Sequence, residues 1–193
     1  MTIAVLFARN DSIYKTIEGC DVWDKNRNAL NWDGCSPVVA HPPCRAWGNL
    51  RQFSHPRPGE KELAIWAIEK IRKYGGVLEH PRSSTLWIEA ELPYPQSRDR
   101  WGGWTLPIFQ HWWGHKAEKA TFLYIVGCSP FDIPNLPMRL DEPTHTVSSS
   151  GRRRDGTRLK ARPELTKRER EETPVDLAIW LIELAKRCKP PNA

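Results

Sequence analysis

Two short apolar runs that each end in proline constrain this chain most. Residues 38–40 (Val-Val-Ala) lead directly into His-Pro-Pro-Cys, and residues 76–78 (Gly-Val-Leu) lead into Glu-His-Pro. Aliphatic and β-branched residues favour strands, while proline fixes its own φ and disfavours a helix at the residue before it. Each run therefore predicts a buried strand that ends in a stiff, extended loop, and the first of these loops carries Cys44.

The segments around these runs alternate between strand and helix patterns. Residues 3–8 and 20–24 predict two further strands, and residues 59–74 predict an amphipathic helix that the pair Gly75-Gly76 ends. Such alternation implies parallel strands joined by crossover helices. The sequence therefore predicts an α/β fold with a mostly parallel sheet, in a single domain that spans residues 1–193.

The second half of the chain is less regular, because prolines divide it into short pieces. Two aromatic-rich runs, residues 107–113 and 121–126, predict a strand pair at one edge of the sheet. Thr173-Pro174, followed by an amphipathic pattern, predicts a closing helix with proline at its first position. The serines, glycine and arginines of residues 147–162 predict a flexible basic loop.

The composition indicates a protein of the cytoplasm. The chain has no basic-then-apolar amino-terminal segment and no apolar run of membrane-spanning length. Its five cysteines are odd in number and scattered, so we expect free thiols rather than disulfides. These features predict a soluble, cytoplasmic protein without a membrane partner.

Positive charge is concentrated toward the carboxyl terminus. The net charge is +6, and residues 151–174 contain nine Lys and Arg against five Asp and Glu. DNA or a nucleotide is the partner that this distribution favours, with Arg152 and Arg153 as contacts, although solvated loops have a similar composition. Five tryptophans that lie among Gly, Arg and His are candidates for stacking on bases. They are Trp47, Trp101, Trp104, Trp112 and Trp113.

The residues after the two proline-terminated strands form a chemical pair. The carboxyl ends of neighbouring parallel strands meet at one edge of the sheet, where ligands bind in open α/β folds. A thiol at Cys44 and a carboxylate at Glu79 are thus predicted to share a site, with His41, Arg45 and His80 beside them as substrate contacts. An arginine next to a cysteine lowers the pKa of the thiol or binds a phosphate. The spacing of His and Cys fits no closed zinc site, so no metal is expected.

Taken together, these motifs resemble the DNA cytosine-5 methyltransferases, particularly the short, divergent proteins of phages and prophages. Pro42-Pro43-Cys44 is similar to the nucleophile loop of that family, and residues 78–81 (Leu-Glu-His-Pro) are similar to its Glu-Asn turn. Residues 110–123 resemble the stretch in which phage homologues have a basic residue and a threonine before a strand. Residues 165–178 resemble the last helix of the family and the segment before it, and the motifs follow in the same order.

The resemblance implies a Rossmann-like, methyltransferase-type three-layer sandwich with an irregular C-terminal half. It implies that Cys44 adds to carbon 6 of a flipped pyrimidine, while Glu79 holds the ring nitrogen and the exocyclic amine. His115 and Lys119 are the candidates for a further positive contact. The implied cofactor is S-adenosylmethionine, with a ribose hydroxyl donated to the carboxylates of the second strand, Asp21 or Asp24.

The chain departs from the family at the loop after its first strand. The family has a Phe-x-Gly-x-Gly loop there for the cofactor, whereas residues 7–12 contain no glycine. Three functions therefore stay open. The first is a DNA- or nucleotide-modifying enzyme with Cys44 as nucleophile. The second is a non-catalytic nucleic-acid-binding or inhibitory protein on a degenerate version of the fold, and the third is an enzyme that acts on free nucleosides or nucleotides.

Overall fold

A computed structural model of the chain describes residues 1–48, 51–147, 154–157 and 162–191. It contains six strands, which are β1 (Ile3–Ala8), β2 (Cys20–Asp24), β3 (Val38–Ala40), β4 (Gly76–Pro81), β5 (Trp104–Phe109) and β6 (Ala120–Val126). The α-helices are α1 (Glu62–Tyr74), α2 (Leu86–Glu89), α3 (Lys167–Glu171) and α4 (Val175–Arg187). All the strands belong to one sheet.

The sheet is mostly parallel and has the strand order β2-β1-β3-β4-β6-β5. Strand β1 pairs in parallel with β2 and β3, and β3 pairs in parallel with β4. Strand β6 is antiparallel to both β4 and β5, which confirms the predicted strand pair at one edge. The chain passes from β1 to β2 on one side and then crosses to β3 on the other, so the strand order reverses between β1 and β3. In open α/β sheets this reversal marks the crevice in which ligands bind.

Helices pack on both faces of the sheet because successive side chains of each strand point to opposite sides. Val39 and Val77 lie in the core that the apolar face of α4 covers, while Ala40 and Leu78 lie in the core under α1. Helix α1 begins three residues after the start that the sequence predicts, and Gly75 ends it with a φ of 77°. The predicted α/β class is thus confirmed.

The ends of two predicted elements need correction. Strand β5 stops at Phe109, and residues 110–113 form a 3-10 turn rather than the end of a strand. Gly114, with a left-handed φ of 88°, closes this turn. The closing helix α4 has Pro174 as its N-cap, not as its first helical residue. The turn after β5 matters most, because it turns Gln110 inward at the end of the sheet.

The second half of the chain is irregular, as predicted. Between β6 and α3 the described residues form turns and isolated bridges, among them Ala117 with His145 and Thr146 with Glu164. Most of the predicted basic loop, including Arg152 and Arg153, lies outside the described residues. Helices in the described ranges are too short or too polar to cross a membrane. All five cysteines are unpaired, as expected.

Candidate functional site

Polar residues from separate segments meet at the edge of the sheet where β3 and β4 end. Cys44 lies in the exposed loop that follows β3, and Glu79 is the fourth residue of β4. Lys119 directly precedes β6, and the antiparallel direction of β6 brings its start to the same edge. The charges of Glu79 and Lys119 both act on the Cys44 thiol. The predicted pairing of Cys44 with Glu79 therefore has a geometric basis.

The Glu79 carboxylate is held on both of its oxygens. The Nδ1 of His41 lies 3.1 Å from Oε2, and the Nε2 of Gln110 donates to Oε1 at 2.9 Å. The same Gln110 nitrogen also donates to the hydroxyl of Thr121 at 3.1 Å. Because a carboxylate only accepts hydrogen bonds, both neighbours must donate to it. The orientation of Glu79 is thus fixed by the loop after β3 and by the turn after β5.

A buried tyrosine extends this hydrogen-bond chain across the sheet edge. The Nε2 of His41 lies 2.9 Å from the Tyr14 hydroxyl. Since Nδ1 of the imidazole faces Glu79, Nε2 is the ring nitrogen that lies against the Tyr14 hydroxyl. Burial and the nearby Glu79 charge raise the pKa of Tyr14 well above its usual value, so its hydroxyl keeps its proton. Tyr14 and Glu79 together thereby fix the orientation of the His41 ring.

Glu79 is ionised at neutral pH. Burial alone would raise the pKa of its carboxyl, but the hydrogen bond from His41 and the charge of Lys119 outweigh burial and lower the pKa to about 2. An ionised carboxylate that is already oriented is a ready acceptor for an amine of a bound molecule.

The Cys44 thiol is protonated at neutral pH. Although the residue is exposed, neighbouring protein atoms partly desolvate the sulfur, and this desolvation together with the Glu79 charge raises the pKa of the thiol. Lys119 opposes this rise. Arg45 is not among the charges that act on the thiol, and its Nε lies 2.5 Å from the buried carboxylate of Glu60. Lys119, not Arg45, is therefore the cation that favours the thiolate.

Lys119 is held at the site in a strained conformation. Its backbone has a φ of 42°, a region that side chains other than glycine and asparagine rarely adopt. Its Nζ donates to the carbonyl of Glu172 at 3.3 Å. Burial lowers the pKa of Lys119, while the charge of Glu79 opposes that change. The strain therefore keeps an ammonium group beside the carboxylate and the thiol.

Three predicted substrate contacts lie elsewhere. Trp47 is 2% exposed and belongs to the core under α1, so its ring has no free face for a base. His80 is completely buried, because the alternation along β4 directs it away from the face that carries Glu79. His115 is buried with both ring nitrogens near backbone atoms of Ala117 and Glu169, and burial lowers its pKa. These three side chains are structural.

The carboxylate at the end of β2 is already occupied. The Oδ2 of Asp24 accepts from Lys15 at 2.6 Å, and its Oδ1 accepts from the backbone N–H groups of Asn26 and Arg27. The hydrogen bond from Lys15 is the largest cause of a lowered pKa at Asp24. Asp24 therefore closes a turn, and both of its oxygens are held by groups of the protein.

The other predicted cofactor contact, Asp21, is also held by neighbouring residues. Asp21 is the second residue of β2, far from the carboxyl end of the strand, and accepts from Trp23 and Arg27 at 2.7 Å each. In the loop after β1, Arg9 donates to both oxygens of Asp11 at 2.9 and 3.0 Å. The loop at the position of the family's glycine-rich loop thus contains an internal ion pair.

Helix α3 lies over the same edge of the sheet. Arg9 donates to the carbonyl of Arg168 at 3.0 Å, and Lys116 pairs with Glu169 at 2.6 Å. A capping box between Thr166 and Glu169 starts this short helix. The site is therefore bordered by the loops after β1 and β3 on one side and by α3 on the other.

Two residues of the hydrogen-bond chain were missed in the sequence. Tyr14 lies in a short turn between β1 and β2, where no motif distinguishes it from a core aromatic. The sequence pattern places Gln110 in a strand. Because β5 runs parallel to β4, a residue just after β5 lies at the same edge of the sheet as the end of β4. Without contacts across the sheet, neither residue carries a local signal of function.

Replacing Tyr14 with phenylalanine tests the hydrogen-bond chain through stability alone. The change leaves Nε2 of the half-buried His41 ring without its hydrogen-bond partner, so we expect a loss of about 1–2 kcal/mol in the free energy of unfolding. Urea denaturation at neutral pH measures this loss. The control is Tyr94→Phe, which removes a hydroxyl from an exposed ring and should change stability little.

Comparison with known proteins gives no relative for this arrangement. No protein-family model, no curated protein and no solved structure matches the chain. Within the described residues, no group of three or more His, Cys, Asp or Glu side chains is arranged to hold a metal ion. The site is therefore interpreted from its own geometry.

Proposed function

We propose that this protein modifies a pyrimidine of DNA or of a nucleotide by adding the Cys44 sulfur to carbon 6 of the ring. The observation that supports this most is an exposed thiol that feels the charge of a carboxylate held on both of its oxygens. A carboxylate is the acceptor that suits the exocyclic amine of cytosine. Nucleophile and base-holding acid are thus available at one edge of the sheet.

The addition step requires two proton movements and no group from outside the site. The thiol loses its proton to solvent, and its sulfur bonds to carbon 6. The electrons of the 5,6 double bond move into the ring, so negative charge develops on ring nitrogen 3 and carbon 5 becomes nucleophilic. As the base covers Glu79 and removes solvent from it, the carboxylate takes up one proton from solvent, because loss of solvent favours the protonated form. Glu79 shares this proton with nitrogen 3, which neutralises the charge on the ring. Lys119 stabilises the thiolate before the addition.

We also propose that the sheet and its helices form a Rossmann-like, methyltransferase-type three-layer sandwich. The support is the packing of α1 and α4 on opposite faces and the reversal of strand order between β1 and β3. The antiparallel β6 between β4 and β5 also suits this arrangement. In such a fold Cys44 and Glu79 stand where substrates bind.

Exchange of the hydrogen at carbon 5 with solvent tests the addition without any cofactor. In D₂O a deuteron adds to carbon 5 of the adduct, the original proton leaves, and loss of sulfur from carbon 6 restores the ring. We expect the protein to replace the carbon-5 hydrogen of cytosine or uracil in an oligonucleotide or a nucleotide, as measured by mass spectrometry of the nucleosides. Prior alkylation of Cys44 with iodoacetamide serves as the control and should stop the exchange.

The pH dependence follows from the raised pKa of Cys44. Only the thiolate adds, so the exchange rate should rise about tenfold per pH unit until the pH reaches the pKa of the thiol. Because that pKa lies above its ordinary value, the rise should continue beyond about pH 8.5. Absence of exchange on every substrate at high pH, in protein shown to be folded, would contradict the proposal.

A second candidate is a nucleic-acid-binding protein that performs no chemistry. The contacts of Asp24 and of the loop after β1 favour this candidate. Asp24 accepts from Lys15 and Asn26, and Arg9 donates to Asp11, so these polar groups are already engaged within the protein. For this candidate we expect salt-sensitive binding to DNA that survives Cys44→Ala, with no exchange at carbon 5.

A further inference from the structure

A basic groove lies at the end of the sheet opposite to the candidate site. Its volume is about 900 Å³, and its lining includes Gly127, which follows β6, and Gly102, which precedes β5. The cationic residues of the lining are Arg72, Lys73, Arg98 and Arg100, and Glu69 is the one carboxylate among the lining residues. The groove therefore has an excess of positive charge.

One half-buried arginine links the parts of the groove. Arg72 donates from Nε to the Tyr124 hydroxyl at 3.1 Å, and its Nη2 lies 3.4 Å from Asp99. Its guanidinium also stacks 3.7 Å from the ring centroid of Trp101. The side chain of Arg72 is only 16% exposed. Such a framework positions the neighbouring cations without any bound ligand.

The turn that carries the outer arginines is fixed by Asp99. Its Oδ1 accepts from the backbone N–H groups of Trp101 and Gly103 at 3.0 and 2.8 Å. Arg98 donates to the carbonyl of Gly102 at 2.9 Å, and Arg100 stacks 4.0 Å from the ring of Trp101. Asp99 is therefore used for the turn and for Arg72, and does not neutralise the outer arginines.

Three cations of the groove have no acidic partner. Among the described residues, Lys73, Arg98 and Arg100 form no ion pair, although all three side chains are exposed. They come from two different segments and surround a volume much larger than one phosphate. A ligand with several phosphates in series suits this pattern better than a single small anion.

We infer that the basic groove binds the phosphodiester backbone of a nucleic-acid strand. The inference deepens the proposed function, because it names a surface that holds the polymer outside the site of Cys44. Binding is measured without turnover, so loss of binding and loss of chemistry are separate results. Contacts with phosphates alone imply little dependence on base sequence.

Fluorescence anisotropy with a labelled oligonucleotide tests the groove. We expect the logarithm of the affinity to fall linearly with the logarithm of the salt concentration, with a slope of about −2 to −3 for three phosphate contacts. Arg100→Glu and Lys73→Glu, which lie on different segments, should each weaken binding about tenfold and reduce the slope by about 1. Thermal melting by circular dichroism checks that each variant is folded.

The matched control is Lys25→Glu, which makes the same charge change in an exposed turn after β2, at the other side of the sheet. It should leave the affinity unchanged. If all three variants bind as tightly as the unmodified protein, the inference is overturned. It is also overturned if all three lose the same affinity, because the change in net charge alone would then explain the loss. Displacement of the oligonucleotide by a nucleoside triphosphate at the same phosphate concentration would assign the groove to a small molecule and also overturn it.

Discussion

Replacing Cys44 with alanine is expected to reduce deuterium exchange at carbon 5 to the rate in buffer alone. The variant keeps Glu79, His41 and Gln110 in place, so binding of the pyrimidine should persist while the sulfur that adds to carbon 6 is gone. Glu79→Gln should lower the exchange rate by about 10²- to 10³-fold, because it removes the group that shares a proton with ring nitrogen 3. Mass spectrometry of the isolated nucleosides measures both rates.

Glu79→Gln should have the opposite effect on the intrinsic reactivity of Cys44. The Glu79 charge contributes to the raised pKa of the thiol, so its removal lowers that pKa and increases the thiolate fraction at neutral pH. We expect faster alkylation of Cys44 by iodoacetamide in the variant, measured in a Cys35→Ala background because Cys35 is also exposed. If Glu79 only supported the structure, Glu79→Gln would slow exchange at carbon 5 without changing the alkylation rate of Cys44. If Glu79→Gln kept the full exchange rate, the proposed role of Glu79 would be contradicted.

Much of the fold follows from local sequence patterns. The runs at β1, β2, β3 and β4 are apolar and short, and they end at polar or proline residues, so burial and backbone restriction act in the same direction. Helices α1 and α4 have a clear apolar face. The predicted strand extends too far beyond Phe109, because its aromatic residues are compatible with a strand or a turn. Gly114 adopts a left-handed conformation that ends the turn.

The site was predictable only in part. Cys44 follows β3 and Glu79 lies in the second half of β4, so topology alone brings them to one edge. The roles of Arg45 and His80 depend on side-chain partners that sequence neighbours do not reveal: a buried Glu60 binds the first, and strand alternation turns the second into the core. Tyr14 and Gln110 act through contacts over 27 and 31 positions in the chain, which no local pattern encodes.

His80 should make the protein markedly less stable in mild acid. Burial lowers the pKa of its ring to about 4, although the Glu79 charge opposes this, whereas an unfolded histidine has a pKa of 6.5. Below pH 6.5 the unfolded chain therefore binds a proton that the folded chain excludes. The stability is complete above pH 6.5 and is lost as the pH falls toward 4, by about 3 kcal/mol in total. Urea denaturation at a series of pH values from about 7 to 4 measures the loss.

His80→Leu isolates this contribution from those of other groups. Neither ring nitrogen of His80 has a hydrogen-bond partner among the described residues, so the change should leave stability at pH 7 equal or somewhat higher. Between pH 6.5 and 4 the variant should lose about 3 kcal/mol less than the unmodified protein. His115 has a lowered pKa as well and adds to the loss in both proteins, so the difference between them belongs to His80.

The Glu79 carboxylate affects only the lowest part of the same pH range. Its pKa lies at about 2 in the folded protein and at 4.5 as a free group, so its contribution is present above pH 4.5 and is lost only below that value. The control His55→Asn removes an exposed imidazole, and asparagine tolerates the left-handed φ of 44° at this position. This control should follow the curve of the unmodified protein. Parallel pH curves for His80→Leu and the unmodified protein would show that the His80 ring binds its proton equally well in the folded and unfolded chains, against the effect of its burial.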